Sequence, residues 1–216
     1  SMNFSARHPS ALFDELGSEL FSTLLSASQA GEEIFRYNYL PLLEKAAYWL
    51  QELPLERKTY AERGGALKFT LLSSLGTLRM CSGVIFAPSS DSEHRRLVEP
   101  QYRFAAFVAS LCTVPLIVHH NVAVTVNGSP WDPFFGQGLY SALTERVGSA
   151  QYQVEWRPET HERPSAALAV LLISWLLSDV KWAQFDRTVL RSMVEAINPA
   201  GIQAPSESAL SRVVRV

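Results

Sequence analysis

Histidine and carboxylate side chains are the groups in this 216-residue chain best suited to metal or acid–base chemistry. His119 and His120 are adjacent, and in an extended segment neighbouring side chains point to opposite faces, so the two would not share one metal ion. A structural role is therefore favoured for the pair. His161 stands before an apolar segment, where a surface or capping role is favoured. The alternative is that His120, His161 and a carboxylate such as Asp132 converge on a metal.

The glycine pair Gly64-Gly65 stands immediately before an apolar helical pattern. Backbone N–H groups at a helix N-terminus can cradle a phosphate, but a tight turn is the simpler interpretation of two glycines. The sequence contains neither the G-x-x-x-x-G-K-[ST] loop of nucleotide hydrolases nor the G-x-S-x-G nucleophile motif. It therefore gives no support for nucleotide hydrolysis or for serine-based catalysis.

Positive charge is sparse and local. A net charge of -2 gives no overall attraction to nucleic acid, so any DNA contact must come from a local patch. The candidates stand in two charged segments that we predict to be loops: Arg57, Lys58 and Arg63, then Arg95 and Arg96. If these side chains converge, binding should be weak and steeply dependent on salt.

Two cysteines, Cys81 and Cys112, lie in apolar helical patterns, which predicts buried thiols in a reducing compartment. The longest apolar run, residues 166–177, is shorter than the roughly 20 residues that a membrane span needs. We therefore expect a cytoplasmic protein that does not contact a membrane.

Apolar residues recur at helical spacing over most of the chain. The pattern predicts a second helix that is kinked at Pro41, an exposed connection over 87–99, and a nearly all-apolar central helix that Pro115 ends or kinks. The predicted helices are 10–25, 32–52, 66–83, 101–114, 134–147, 166–177, a long one that ends near 197, and a short one over 208–214.

Two segments alternate apolar and polar residues instead, at about 121–126 and 152–156. The first is followed by Asn127-Gly128, a strong turn signal. We predict that the two segments pair as a small antiparallel hairpin or sheet on a mainly α body.

An ordered set of short segments resembles the N-terminal domain of MobH-type conjugative relaxases. These are proteins of integrating conjugative elements that often carry the label helicase. The resemblance extends over residues 30–197, and the matching segments are Tyr39-Leu40-Pro41-Leu42-Leu43, Trp49-Leu50-Gln51-Glu52-Leu53-Pro54-Leu55, Gly64-Gly65, Gly128-Ser129-Pro130-Trp131-Asp132-Pro133, Tyr152-Gln153-Val154-Glu155-Trp156 and His161.

In that family the two glycines are flanked by histidines, as in H-H-x-H-P-G-G-L-L-x-H, and an apolar helix ends in A-A-L-L-H-D-I-G-K. Both motifs resemble the metal ligands of HD phosphohydrolases. Here the histidine positions before the glycines are held by Thr59, Tyr60 and Glu62. The histidine position after the glycines is held by Phe69, and the His-Asp pair of the second motif falls on Thr113 and Val114. A benzyl ring, one neutral hydroxyl and an isopropyl group cannot hold a hydrolytic metal.

The resemblance implies an HD-domain-like helical bundle over 30–197, preceded by an amphipathic helix over 1–29 and followed by a tail over 198–216. The leading hypothesis is a module that has lost its catalysis, binds no metal or cofactor, and acts on DNA or on proteins of the conjugation machinery. One alternative is a metal-dependent phosphodiesterase or DNA relaxase with non-standard ligands. The other is a small-molecule site in the former active-site cleft, lined by Phe69, Cys112, Thr113 and Val114.

Overall fold

The computed structural model describes residues 2–132, 138–145, 151–162, 168, 171, 174–197 and 209–214. Most of these residues are helical, and four strands form one antiparallel sheet, which confirms the predicted mainly α class with a small sheet. The predicted helix over 166–177 lies largely outside the described residues, as do parts of 134–147 and of the tail.

The helices, in chain order, are α1 (Pro9–Leu16), α2 (Ser18–Ser28), α3 (Glu32–Ile34), α4 (Leu40–Leu50), α5 (Gly65–Cys81), α6 (Ser92–Asn121), α7 (Leu139–Thr144), α8 (Arg187–Ile197) and α9 (Ala209–Val214). A π-helical turn, Phe35–Tyr39, joins α3 to α4, and a 3-10 turn, Trp182–Gln184, precedes α8. The strands are β1 (Met2–Ser5), β2 (Val122–Val126), β3 (Ser129–Trp131) and β4 (Gln151–Trp156).

The predicted first helix is two helices, because Gly17 adopts a φ of 92° and interrupts the pattern between α1 and α2. The kink predicted at Pro41 takes the form of the π-helical turn just before it. Proline has no N–H for the helical ladder, and a π turn is one way in which a helix accommodates that gap.

The largest correction concerns α6, which is 30 residues long instead of the predicted 101–114. It starts within the segment predicted to be an exposed connection, because Asp91 caps it by accepting a hydrogen bond from the His94 backbone N–H at 2.8 Å. It continues through Pro100 and Pro115 to Asn121. Arg95, Arg96, His119 and His120 are therefore helical, and neither the loop nor the extended segment predicted for them forms.

The sheet has the strand order β1-β4-β2-β3. β2 pairs with β4 as predicted, with Val124 opposite Val154, and Asn127-Gly128 turns the chain from β2 into β3. Both turn residues have positive φ, 49° and 80°, as a tight hairpin turn requires. The edge strands β1 and β3 were not predicted, since each is too short to show alternation.

Two apolar cores lie along α6. The helical core contains α6 side chains from Val98 to Leu116, with side chains from α2, α4, α5, α8 and α9. The sheet-side core contains Val114 and Val118 from the second half, the inward valines of β2, and residues that end α4 and begin α5. The first half of α6 therefore packs into the helical core, and its second half contributes to both cores.

By length and composition alone, α6 could also cross a membrane, with a mean hydropathy of 1.5 over its most apolar window. However, 78% of that window is buried inside the protein. A largely buried apolar helix is typical of a protein core, and we describe α6 as one.

Candidate functional site

The positions matched to the HD ligands lie where α5 packs on α6. Phe69 is partly buried, and its ring centroid is 5.2 Å from that of Tyr60, which holds one of the upstream histidine positions. Val114 has no exposed surface, and it shares the sheet-side core with Phe69. Thr113 is partly buried, and its hydroxyl donates to the Ser110 carbonyl oxygen at 2.9 Å.

These residues do not fit the metal that the resemblance implies. The Phe69 and Val114 side chains have no lone pairs, and the single neutral hydroxyl of Thr113 is one weak ligand where a metal ion needs several. Within the described ranges, no three His, Cys, Asp or Glu side chains form a group that could hold a metal ion.

Side chains fill this region. Cys112 and Val114 have no exposed surface, and burial raises the pKa of the Cys112 thiol to about 12. The structure therefore gives no support for a ligand cleft lined by Phe69, Cys112, Thr113 and Val114.

The loop between α4 and α5 has an unusual backbone. Gln51, Tyr60 and Gly64 all adopt positive φ, at 47°, 52° and 77°. A side chain on Gly65 would place its Cβ 2.1 Å from the Tyr60 carbonyl oxygen, so only glycine fits there. The loop thus folds closely against the start of α5.

The glycine pair does not form the phosphate cradle considered from the sequence. The N–H of Gly64 donates to the Glu52 carbonyl at 2.9 Å, that of Gly65 to Glu62 at 2.9 Å and that of Ala66 to Leu53 at 3.0 Å. These donors hold the loop on the helix, and none of the three is left for an anion. The tight-turn interpretation is the one that the geometry supports.

Glu52 is the charged group at the centre of this loop. Its side chain is only 3% exposed, and it lies between two arginines. Arg63 donates to its two carboxylate oxygens at 2.7 Å each, and Arg7 donates to Oε1 at 3.0 Å. The pKa of Arg63 is raised, chiefly by the hydrogen bond to Glu52, and that of Arg7 by hydrogen bonds to Glu15 and then Glu52.

This arrangement ties the chain start to the loop. The buried Gln51 amide accepts a hydrogen bond from the Arg7 N–H at 2.8 Å and donates one to the Arg7 carbonyl at 2.9 Å. The Tyr152 hydroxyl of β4 accepts a hydrogen bond from the Glu52 N–H at 3.1 Å. Glu52 was not among the site residues predicted from the sequence, although two polar residues between Leu50 and Leu53 were a usable signal.

The cations proposed as a nucleic-acid patch lie in two places. Arg57 donates to the Arg157 carbonyl at 3.2 Å, and Arg157 in turn donates to the His119 carbonyl at the end of α6. Arg95 and Arg96 lie in the first turns of the same helix, roughly 35 Å away along its axis. Arg63 lies against Glu52, which neutralises its charge, whereas the neighbouring Lys58 is exposed.

The histidine candidates also lie in different surroundings. His119 is half-buried, and its pKa is lowered by burial first and then by the nearby charge of Arg157, against an opposing effect from Asp132. His120 is partly buried on the same helical turn, and His161 is exposed after β4. The structure thus couples His119 electrostatically to Asp132 instead of grouping His120, His161 and Asp132 around a metal.

The fold and this site define a mainly α domain with a small sheet, in which an ion-paired loop and an apolar core occupy the expected place of a metal centre. The chain matches the family described as "Putative helicase" (TraI_2) over residues 5–202, and it belongs to that family. It is thereby related to the relaxases and helicases of conjugative elements. A search among curated proteins finds no match to the chain.

Proposed function

We propose that the chain is a non-catalytic, HD-like module of a MobH-type protein from an integrating conjugative element. In this proposal it acts in the cytoplasm by binding a protein of the conjugation machinery. The observation that carries the proposal is the replacement of the expected ligands by Phe69, Thr113 and Val114, of which Val114 is completely buried and Phe69 packs against the same core. Family membership supports the setting in conjugative transfer.

A protein partner is favoured over DNA because positive charge is dispersed. Phosphate binding draws its free energy from several converging cations, and each one contributes to the salt dependence. Here Arg63 is paired with Glu52. Arg57, in the loop between α4 and α5, lies near the C-terminal end of α6, whereas Arg95 and Arg96 lie near its N-terminal end. A surface of this kind can add a weak DNA contact to a protein–protein interaction.

Metal analysis and a nuclease assay test the loss of catalysis. Purified protein incubated with Mn²⁺, Fe²⁺, Zn²⁺ or Mg²⁺ and then desalted should retain no stoichiometric metal, and it should not nick supercoiled DNA. Bound metal together with cleavage would overturn the proposal and favour the alternative of a relaxase with non-standard ligands. In that event, alanine substitution of His119, His120 and His161 would identify which histidine, if any, the activity requires.

Binding assays then separate the two partner classes. Fluorescence anisotropy with a labelled duplex should show only weak binding that falls steeply between 50 and 200 mM salt, about the range over which phosphate contacts are lost. Co-purification with the other proteins of the element should remain at 200 mM salt. Tight, salt-insensitive DNA binding with no protein partner would contradict this assignment.

A further inference from the structure

A cleft of about 730 Å³ opens beside the first half of α6. Its walls are the π-helical turn before α4, the end of α5, the stretch Glu99–Phe104 of α6, and the segment that contains Asp179 and Phe185. Small-molecule sites have volumes of about 300–1,000 Å³ and usually combine an apolar lining with a few convergent polar groups. The cleft has this size, and its lining has that character.

Aromatic rings form one side of the cleft. The Tyr39 ring contacts that of Phe104 edge-on, with centroids 5.2 Å apart, and Phe104 contacts Phe185 at 5.7 Å. Tyr39 and Phe104 are only 2% and 7% exposed, so packing fixes their rings and little of either ring reaches the cleft, whereas Phe185 is partly exposed. Such a surface favours a flat aromatic ligand that lies against Phe185 and meets the other two rings at their exposed edges.

The positive charge of Arg103 faces the same cleft. This partly buried guanidinium donates through Nη1 to the carbonyl oxygens of Ala27 and Leu78, both at 3.1 Å, which fixes its position. None of the ion pairs found among the described residues includes Arg103. A guanidinium held by neutral carbonyls retains its full charge, and planar guanidinium groups bind carboxylates and phosphates well.

The other charged groups of the cleft leave this attraction in place. Lys45 is paired with Asp179 at 2.8 Å, and the Glu99 carboxylate accepts the backbone N–H groups of Phe86 and Ala87 at 3.2 and 2.8 Å. Lys181 is exposed at the rim. Glu99 keeps its negative charge, since its partners are neutral, and the lining therefore carries three cations and two carboxylates, an excess of one positive charge.

The backbone at the cleft is unusual as well. Tyr37, Asn38 and Tyr39 line it from the π-helical turn. This conformation is rare in proteins overall, but where it occurs it is often at a functional site. Burial is the main cause that raises the pKa of the Tyr39 phenol, which keeps it protonated and able to donate a hydrogen bond.

We propose that this cleft is a binding site for a planar aromatic molecule that carries one anionic group. The aromatic part contacts Tyr39, Phe104 and Phe185, and the anion lies between Arg103 and Lys181. This site is independent of the function proposed above, since it uses the first half of α6, whereas Val114 lies in the second half and the cleft lining does not include Phe69.

A pair of naphthalene probes tests both parts of the site. The anionic probe is 8-anilinonaphthalene-1-sulfonate, and N-phenyl-1-naphthylamine has the same rings without the sulfonate. The protein should bind the sulfonate probe saturably at one site, and about tenfold more tightly than the neutral probe. Thermal unfolding of each sample confirms that the probe reports on folded protein.

Substitutions then locate the site. Arg103→Met should weaken the sulfonate probe about tenfold and Lys181→Met about threefold, with little effect on the neutral probe. Asn38→Trp should fill the cleft and abolish binding of both probes. Lys58→Met, which removes an exposed cation from the α4–α5 loop, is the matched control and should change neither affinity.

The proposal is overturned if the sulfonate probe does not saturate, if both probes bind with equal affinity, or if Lys58→Met weakens binding as much as Lys181→Met. Arg103 also supports two carbonyls, so its variant could unfold. In that case Lys181→Met and Asn38→Trp, both at exposed positions, decide the question.

Discussion

The two ends of α6 differ in how they meet the rest of the protein. At the sheet-side end, Val114 and Val118 are almost completely buried among aliphatic and aromatic side chains, and the nearby charge of Glu52 is paired with two arginines. In the first half of the helix, Arg103 has no carboxylate partner within the described chain, and the space beside it is open. One helix thus supports a closed core and an open cleft.

The difference indicates where binding can occur. Dense packing excludes water and ligands, so a region filled by Phe69 and Val114 contributes stability. An open cavity beside a fixed charge costs some of that stability and is typical of a site that binds. The metal site expected from the family resemblance falls in the closely packed region, and the open cleft lies elsewhere along the same helix.

The largest effect should come from placing a charge in the closed end. Val114→Asp buries a carboxylate among apolar groups and should lower the free energy of unfolding by about 4 kcal/mol or more. Ile34→Asp is the matched variant at the cleft, where the side chain is 50% exposed, and it should cost less than about 1 kcal/mol. Urea unfolding measures both, and equal costs would mean that the two ends are not packed differently.

Gly65→Ala should destabilise almost as much, by about 3 kcal/mol, because its Cβ would meet the Tyr60 carbonyl oxygen at 2.1 Å. Gly76 lies in the same helix with nothing within 4 Å of a built Cβ. Gly76→Ala should therefore stabilise the protein by about 0.5–1 kcal/mol. Chemical denaturation of the two variants checks the difference, and a harmless Gly65→Ala would refute the close approach of the loop to α5.

Loss of the Glu52 charge should have a smaller effect, since its arginine partners reach solvent. Glu52→Gln should cost about 2 kcal/mol, below the 3–5 kcal/mol typical of a fully buried pair, because Arg63 is 58% exposed and can be hydrated. Glu32→Gln disrupts an exposed helical pair with Arg36 and should change stability by less than about 0.5 kcal/mol. If the two substitutions lowered the free energy of unfolding by similar amounts, the burial of Glu52 would contribute nothing to the strength of its ion pairs.

The smallest effect is a pH dependence at the closed end. Burial and Arg157 lower the pKa of His119 below its ordinary 6.5, so the unfolded chain binds more protons just below pH 6.5. The contribution of neutral His119 to the free energy of unfolding should therefore be fully present above about pH 6.5, and it should decrease as the pH falls below that value. His119→Gln should flatten that decrease, as measured by thermal unfolding between pH 5 and 7.5, whereas His161→Gln at an exposed position should leave it unchanged.

Local patterns in the sequence were sufficient for much of the fold. Helical spacing predicted α5 and the end of α8, alternation predicted the pairing of β2 with β4, and Asn127-Gly128 predicted the turn after β2. These features depend on residues close together in the chain. The long final helix was wrong at its start, because Trp182–Gln184 forms a 3-10 turn and α8 begins only at Arg187. Prediction failed where local signals compete, as in α6, where Asp91 and tertiary burial extend the helix through two prolines.

The sequence by itself determined that Phe69, Thr113 and Val114 offer one neutral hydroxyl among them, too few ligands for a hydrolytic metal, because side-chain chemistry is fixed by residue type. Only the tertiary structure decided that Glu52 is buried between Arg7 and Arg63, that the cationic residues are dispersed, and that the open cleft lies beside Arg103. Each of these features joins residues far apart in the chain, and burial and pairing depend on distances that folding alone sets.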